Sequence, residues 1–234
     1  VRMYRQNLAR AVLLLEGGED PEGVLKDIIA EVEAETGLRP TLEDNEAYAA
    51  AELPKLTPRF GNEEELRKAQ RFAHYRAVKE TDRATYQAME ALIHNLNTMH
   101  SRAGAQTPFS SINYGTDTSP EGRMVMKNIL LSTEAGLGGG ETPIFPIQIF
   151  RVKEGINYNP GEPNYDLFQL AIRCSAKRLF PNFSFIDAPF NLQYYKPGHP
   201  ETEIAYMGCR TRVIGNVYDP EREICNGRGN LSFT

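Results

Sequence analysis

The sequence contains no tryptophan, only three cysteines and only four histidines. It also has no apolar run approaching the ~18 residues that a membrane-spanning helix requires. Each shortage excludes something. The cysteines, Cys174, Cys209 and Cys225, are odd in number and form no C-x-x-C pair. That argues against a disulfide-stapled secreted fold and fits a reducing, cytoplasmic interior. None of His74, His94, His100 and His199 falls in an H-E-x-x-H pattern, so no zinc site is expected within these residues. The opening VRMYRQNLAR lacks the basic-then-apolar layout of a signal peptide, and no membrane partner is expected. A basic stripe is missing too. Residues 1–100 hold 18 acidic and 13 basic side chains and residues 101–234 hold 13 of each, giving a net charge of -5. Such a balance gives no general attraction to nucleic acid. It leaves room for a single nucleotide, whose phosphates need only a few donors.

What is present is a chain of 234 residues, long enough to bury a substantial core, with an ordinary 41% hydrophobic and 24% charged content. Leu8, Val12 and Leu15 recur at helical spacing over residues 2–16, and Gly17-Gly18 ends the run. Asp20-Pro21 opens a second helix whose buried face is Val24, Ile28 and Val32. The polar, proline-bearing stretch from Arg39 to Gly61 reads as a loop with room for one short helix. A long helical pattern then starts near Asn62 and runs to about His100, as one helix or as two if Asp82 caps a second. After Ser101 the character changes. Strands are expected at Phe109–Tyr114, Ile144–Val152, Asn182–Ile186, Ala205–Tyr206 and Arg212–Val217, with helices at Pro120–Thr133 and Tyr165–Leu179. This order is that of an α/β domain. The expected division is a mainly helical portion over 1–100 and an α/β portion over 101–234, continuous as one domain. Both ends read as cut, so the chain is expected to be a piece of a longer protein.

Among residues that could carry chemistry, Cys209 stands out. Gly208 before it permits an unusual backbone, and Arg210 and Arg212 after it would lower a thiol pKa if they point inward. The alternative is an inert, buried cysteine at a strand end. Cys174 sits in a helical pattern as a small apolar filler, and Cys225 lies beside a turn. The run Gly136-Leu137-Gly138-Gly139-Gly140 lacks the Gly-Lys-Ser/Thr ending of a phosphate loop and leads into Glu141-Thr142-Pro143 rather than a helix, so it reads as a flexible loop. Ser110-Ser111-Ile112-Asn113 could bind a polar ligand or satisfy turn backbone. Glu141 and Asp187 are expected in capping or salt-bridging roles.

Four segments sharpen this reading: HNLNTMHSRAGAQTPFSSINYGTDTS (residues 94–119), GLGGGETPIFPIQIF (136–150), MGCRTRV (207–213) and GRGNLSFT (227–234). In this order they resemble the anaerobic ribonucleoside-triphosphate reductases, a glycyl radical enzyme family. The resemblance implies an α/β fold forming part of a ten-stranded barrel built from two half-barrels, with helices preceding the first barrel strands of this piece. A finger loop runs through its centre, and its tip cysteine becomes a thiyl radical. MGC matches that tip, which gives Cys209 the catalytic role, with Met207 facing the site. Asn230 matches an asparagine lining the substrate ribose. Ser110, Ser111 and Asn113 match a strand region near the substrate.

The same resemblance implies a ribonucleoside triphosphate substrate, reduced at the 2′ position. It implies a glycyl radical generated by a separate iron–sulfur, S-adenosylmethionine-dependent activase, with formate or a thiol donor as reductant. A homodimer is expected, with no nucleic-acid partner. The family's second active-site cysteine, glycyl loop, four-cysteine zinc site and ATP-binding regulatory domain are expected outside residues 1–234, so this piece alone is expected to be inactive. Another glycyl radical enzyme, or a non-catalytic nucleotide-binding paralogue, are the competing readings.

Overall fold

The structure is a computed structural model that describes residues 1–16, 21–43, 45–99, 106–193, 195–199, 202–208, 211–213 and 230–232. Cys209, Arg210 and Cys225 lie outside the described residues, as do the side chains of residues 230–232. The chain divides into two compact units, Val1–Ala84 and Thr85–Thr234.

The first unit is helical. It comprises α1 (Arg2–Glu16), α2 (Pro21–Thr36), α3 (Glu46–Phe60) and the first part of α4 (Glu63–Thr98). Tyr4, Leu8 and Val12 of α1 meet Leu25, Ile28, Ile29 and Val32 of α2 in one core. From α4 come Leu66 and three alanines, Ala69, Ala73 and Ala77, whose small side chains let neighbouring backbones approach. Two expectations are corrected. The stretch expected to be mostly loop holds the 15-residue α3, with Pro54 and Pro58 inside it. Burial of Tyr48, Leu53, Leu56 and Phe60 on one face outweighs the backbone bonds that the prolines forfeit. The alternative of a break at Asp82 also fails. Glu63–Thr98 is one helix of 36 residues, and its sequence contains neither glycine nor proline to interrupt it.

A buried carboxylate ties three of these helices together. Glu52 accepts hydrogen bonds from the Tyr4 hydroxyl at 2.6 Å, the Tyr48 hydroxyl at 2.8 Å and Gln70 Nε2 at 2.7 Å. Burial pushes the Glu52 carboxyl above the usual range, while the three donors pull it back.

The second unit is α/β. Strands β1 (Ser111–Tyr114), β2 (Ile147–Val152) and β3 (Asn182–Phe185) form a parallel sheet in that order, connected through α5 (Pro120–Ala135) and α6 (Tyr165–Arg178). A short α7 (Pro189–Leu192) follows. Strands β4 (Ala205–Met207), β5 (Thr211–Val213) and β6 (Asn230–Ser232) form an antiparallel sheet. The α/β class and the run of helices before the strands are as expected. Among the described residues there are six strands in two sheets and no closed barrel.

Strand parity decides what faces where. Phe150 and Val152 pack with Met126 and Leu130 of α5 and with Leu167, Ala171 and Cys174 of α6. Cys174 is fully buried, and burial pushes its thiol pKa up to about 11, so it is an inert filler. The opposite face of the sheet carries Ser111, Asn113, Ile147, Ile149, Arg151, Asn182 and Ser184, paired in register across the three strands. This is the polar face on which the candidate site is built.

The glycine-rich loop 136–140 is a hydrogen-bonded turn rather than a loose loop. Leu137 N–H donates to the Glu141 carbonyl, Gly140 N–H to the Leu137 carbonyl, and Gly139 N–H to Glu141 Oε2. Arg178 donates to the Glu134, Ala135 and Gly140 carbonyls at 2.6–2.9 Å, joining the end of α5 to the turn. The Leu137, Gly139 and Gly140 amides are thus spent within the turn itself.

Candidate functional site

The site begins with a hairpin. Met207 pairs with Thr211, Tyr206 with Arg212 and Ala205 with Val213 in antiparallel register. Three residues by sequence, Gly208, Cys209 and Arg210, join the paired Met207 and Thr211. Beyond β5, Thr211 pairs with Ser232 and Val213 with Asn230. By that register, positions 207 and 230 fall on one face of the sheet, and positions 206 and 231 on the other.

Tyr206 is held at both ends. Asn113 Nδ2 donates to its carbonyl at 2.6 Å, and its N–H donates to Asn113 Oδ1 at 2.8 Å. Ser111 Oγ adds a longer bond of 3.4 Å to the same carbonyl. At the other end the Tyr206 hydroxyl donates to Asn191 Oδ1 at 3.0 Å, and Asn191 Nδ2 donates to the Phe185 carbonyl at 2.7 Å. β4 therefore hangs from β1 through a side-chain amide and from α7 through a phenol. At the base of the hairpin, Glu203 forms ion pairs with Arg151 of β2 and with Lys153 just after it. Burial lowers the pKa of Arg151.

The glycine before the cysteine has a specific reason. Gly208 sits at φ 62°, in the left-handed region, and a Cβ there would meet the Phe109 ring at 3.3 Å. Phe109 in turn packs edge-to-face on Phe145, with ring centroids 5.3 Å apart. Asn97 fixes that segment. Its Oδ1 accepts from the Ile144 and Phe145 N–H groups, and its Nδ2 donates to the Phe145 carbonyl at 2.6 Å. Segments far apart in sequence, around Asn97, Phe109, Phe145 and Gly208, thus form one contiguous chain of contacts ending beside position 209.

The expected site residues fare differently. Ser111 and Asn113 reach the hairpin and are engaged with its backbone. Ser110 Oγ makes a long 3.4 Å bond to the Pro108 carbonyl in its own loop. Met207 is about half exposed at the tip rung. Asn230 lies in β6 beside Val213, its side chain outside the described residues. Cys209 also lies outside them. Arg212 is nearly buried, stacks its guanidinium over Phe190 at 5.0 Å and donates to the Phe190 carbonyl at 3.1 Å. Asp187 accepts from the Glu154 N–H at 2.7 Å, a capping role. Sequence reasoning passed over Asn97, Asn191, Tyr206 and Ser184, since each acts on a partner remote in sequence or lines a cavity no motif announces.

A cavity of about 430 Å³ opens between β3, α7 and β4, reaching Gly208. Among the described residues, no three His, Cys, Asp or Glu side chains group closely enough to hold a metal ion. No helix among them is long and apolar enough to cross a membrane.

Comparison with known proteins matches residues 48–234 to the family described as anaerobic ribonucleoside-triphosphate reductase. The protein of that name from Enterobacteria phage T4 is 38% identical over 156 residues, covering 66% of this chain and 25% of its own length. Its counterpart in Escherichia coli (strain K12) is 36% identical over 166 residues, 70% of this chain and 21% of its own. In Haemophilus influenzae the figures are 36% over 152 residues, 64% and 20%. The chain spans about a fifth to a quarter of the length of the curated relatives it matches.

Proposed function

The chain belongs to the anaerobic ribonucleoside-triphosphate reductase family, and on that premise we propose that it contributes the cysteine hairpin of a radical site that reduces ribonucleoside triphosphates to their 2′-deoxy forms. The observation that supports this most is the pinned hairpin. Met207 and Thr211 pair across a three-residue connection whose middle residue is Cys209, and Asn113 and Asn191 hold the strand leading into it.

In this reading a glycyl radical elsewhere in the parent protein, generated by an iron–sulfur, S-adenosylmethionine-dependent activase, supplies the one-electron oxidising power. Cys209 gives up its thiol hydrogen atom and, as a thiyl, takes the hydrogen from C3′ of the ribose. The 2′ hydroxyl then takes a proton and leaves as water, formate or a thiol donor supplies two electrons and a second proton, and Cys209 returns the hydrogen atom to C3′. A thiyl demands a partner held in near contact, and a hairpin tied at three points restricts its approach. Asn230, on the register face of Met207, orients ribose hydroxyls by donating and accepting without adding charge. Ser110 keeps the substrate role expected for it, while Ser111 and Asn113 act through Tyr206. The parallel sheet forms part of a ten-stranded barrel that excludes water from the radical. The parent works as a cytoplasmic homodimer, with its zinc site and ATP-binding regulatory domain outside residues 1–234.

The test is conversion of substrate. The anaerobically activated parent protein should turn ribonucleoside triphosphates into 2′-deoxyribonucleotides, and failure with every ribonucleotide at full glycyl radical content removes the reading.

A further inference from the structure

We infer that the cavity between β3, α7 and β4 receives the uncharged nucleoside portion of the nucleotide, with Ser184 as a hydrogen-bond partner. This rests on the nucleotide-reducing reading above and adds a residue to it. Ser184 is 6% exposed, and its Oγ has no hydrogen-bond partner among the described residues. An unpaired buried hydroxyl is destabilising, and a bound hydroxyl, carbonyl or amino group would relieve it.

The rest of the lining specifies the ligand's character. None of the described residues lining the cavity carries an aspartate, glutamate, lysine or arginine side chain. A phosphate placed inside would therefore be desolvated with no cation to meet it. The nearby cations do not line it: Arg151 Nη2 and Lys153 pair with Glu203, and Arg212 lies over Phe190. Phe185 and Phe190 are each about half exposed and offer apolar surface to a planar ring. Both ends of the Asn191 amide are taken by Tyr206 and Phe185, so among the described residues lining the cavity the Ser184 hydroxyl is the buried side-chain group still to be satisfied. At about 430 Å³ the cavity lies within the range of small-molecule sites. Gly208 lines it, so its occupant would lie next to the residue preceding Cys209. A serine hydroxyl donates as readily as it accepts, so this contact would serve a ring carbonyl and a ring amine alike.

The experiment measures displacement of a labelled ribonucleoside triphosphate from the full-length parent by two probes, adenosine and inorganic tripolyphosphate. In the wild type both should compete. Ser184→Ala should weaken adenosine about tenfold while leaving tripolyphosphate unchanged. Ser184→Ile, which fills the cavity, should abolish adenosine competition and spare tripolyphosphate. If the isoleucine variant does not fold, Phe185→Ala takes its place, with weaker adenosine competition expected. Adenosine that fails to compete in the wild type, or competes within about twofold in the variants, overturns the inference, and leaves Ser184 satisfied by water alone. A parent that binds and reduces nucleotides with unaffected Ser184 variants sinks only this inference. A parent that binds no ribonucleotide sinks the functional reading as well.

Discussion

Asn113 and Tyr206 are joined by two hydrogen bonds of 2.6 and 2.8 Å, in which one side-chain amide satisfies both backbone groups of the tyrosine. The amide thus does the work of a neighbouring strand, and it does so three residues before Cys209. Asn113→Ala should loosen the hairpin by about 1–3 kcal/mol, two partly buried bonds being lost. In the parent enzyme we expect kcat to fall at least about tenfold with little change in KM, because the aim of the cysteine suffers rather than substrate affinity. A raised KM at unchanged kcat would instead make Asn113 a direct substrate contact.

Gly208 combines two constraints, and they can be separated. Gly208→Ala should cost about 1–2 kcal/mol in backbone strain alone, with the contact to Phe109 added to it. Phe109→Ala in the same protein should recover only the second part. Thermal unfolding of the single and double variants reads this directly. Full recovery in the double variant would show that the left-handed backbone costs nothing here.

Glu52 predicts a pH dependence. Burial raises its carboxyl pKa in the folded protein above that in the unfolded chain, so the folded state binds the proton more tightly. The resulting stability is fully present below the unfolded pKa of ~4.3 and is lost as the pH rises through the folded value. Melting temperature should therefore fall more between mildly acidic and neutral pH in the wild type than in Glu52→Gln, which cannot titrate. Parallel pH curves for the two proteins would contradict this. Glu52→Leu should be worse than Glu52→Gln at every pH, because Tyr4, Tyr48 and Gln70 would all lose their common partner.

Much of the α/β unit was legible from local pattern. Glycines and prolines punctuate it, and the runs IQIF and NFSF sit between them, so β2 and β3 are found within a few residues of their expected limits. α3 was not legible, because Pro54 and Pro58 mimic a loop until tertiary burial of Leu53, Leu56 and Phe60 is known. Of the site, Gly208 beside the cysteine was visible as a residue free to take an unusual backbone. Its partner Phe109 was not, lying about a hundred positions earlier. Asn113 was visible as a polar residue on a strand, but its partner is 93 residues away and leaves no periodic trace. Arg212 was visible as a charge two residues after Arg210, the cysteine's neighbour, but not its stacking on Phe190, a packing contact with a residue 22 positions earlier. Ser184 gave no signal, since a serine on a short strand is ordinary until its hydroxyl is found buried and unpaired.

The central claim concerns Cys209, and the most direct measurement is made on the activated parent enzyme carrying Cys209→Ser. Electron paramagnetic resonance should show glycyl radical at the wild-type level, since the serine leaves the radical's own site untouched. Deoxyribonucleotide formation should fall to background, because the serine O–H bond is too strong for the hydrogen-atom exchange that a thiol permits. Persistence of reduction in this variant would contradict the assignment of Cys209 as the residue that attacks the ribose.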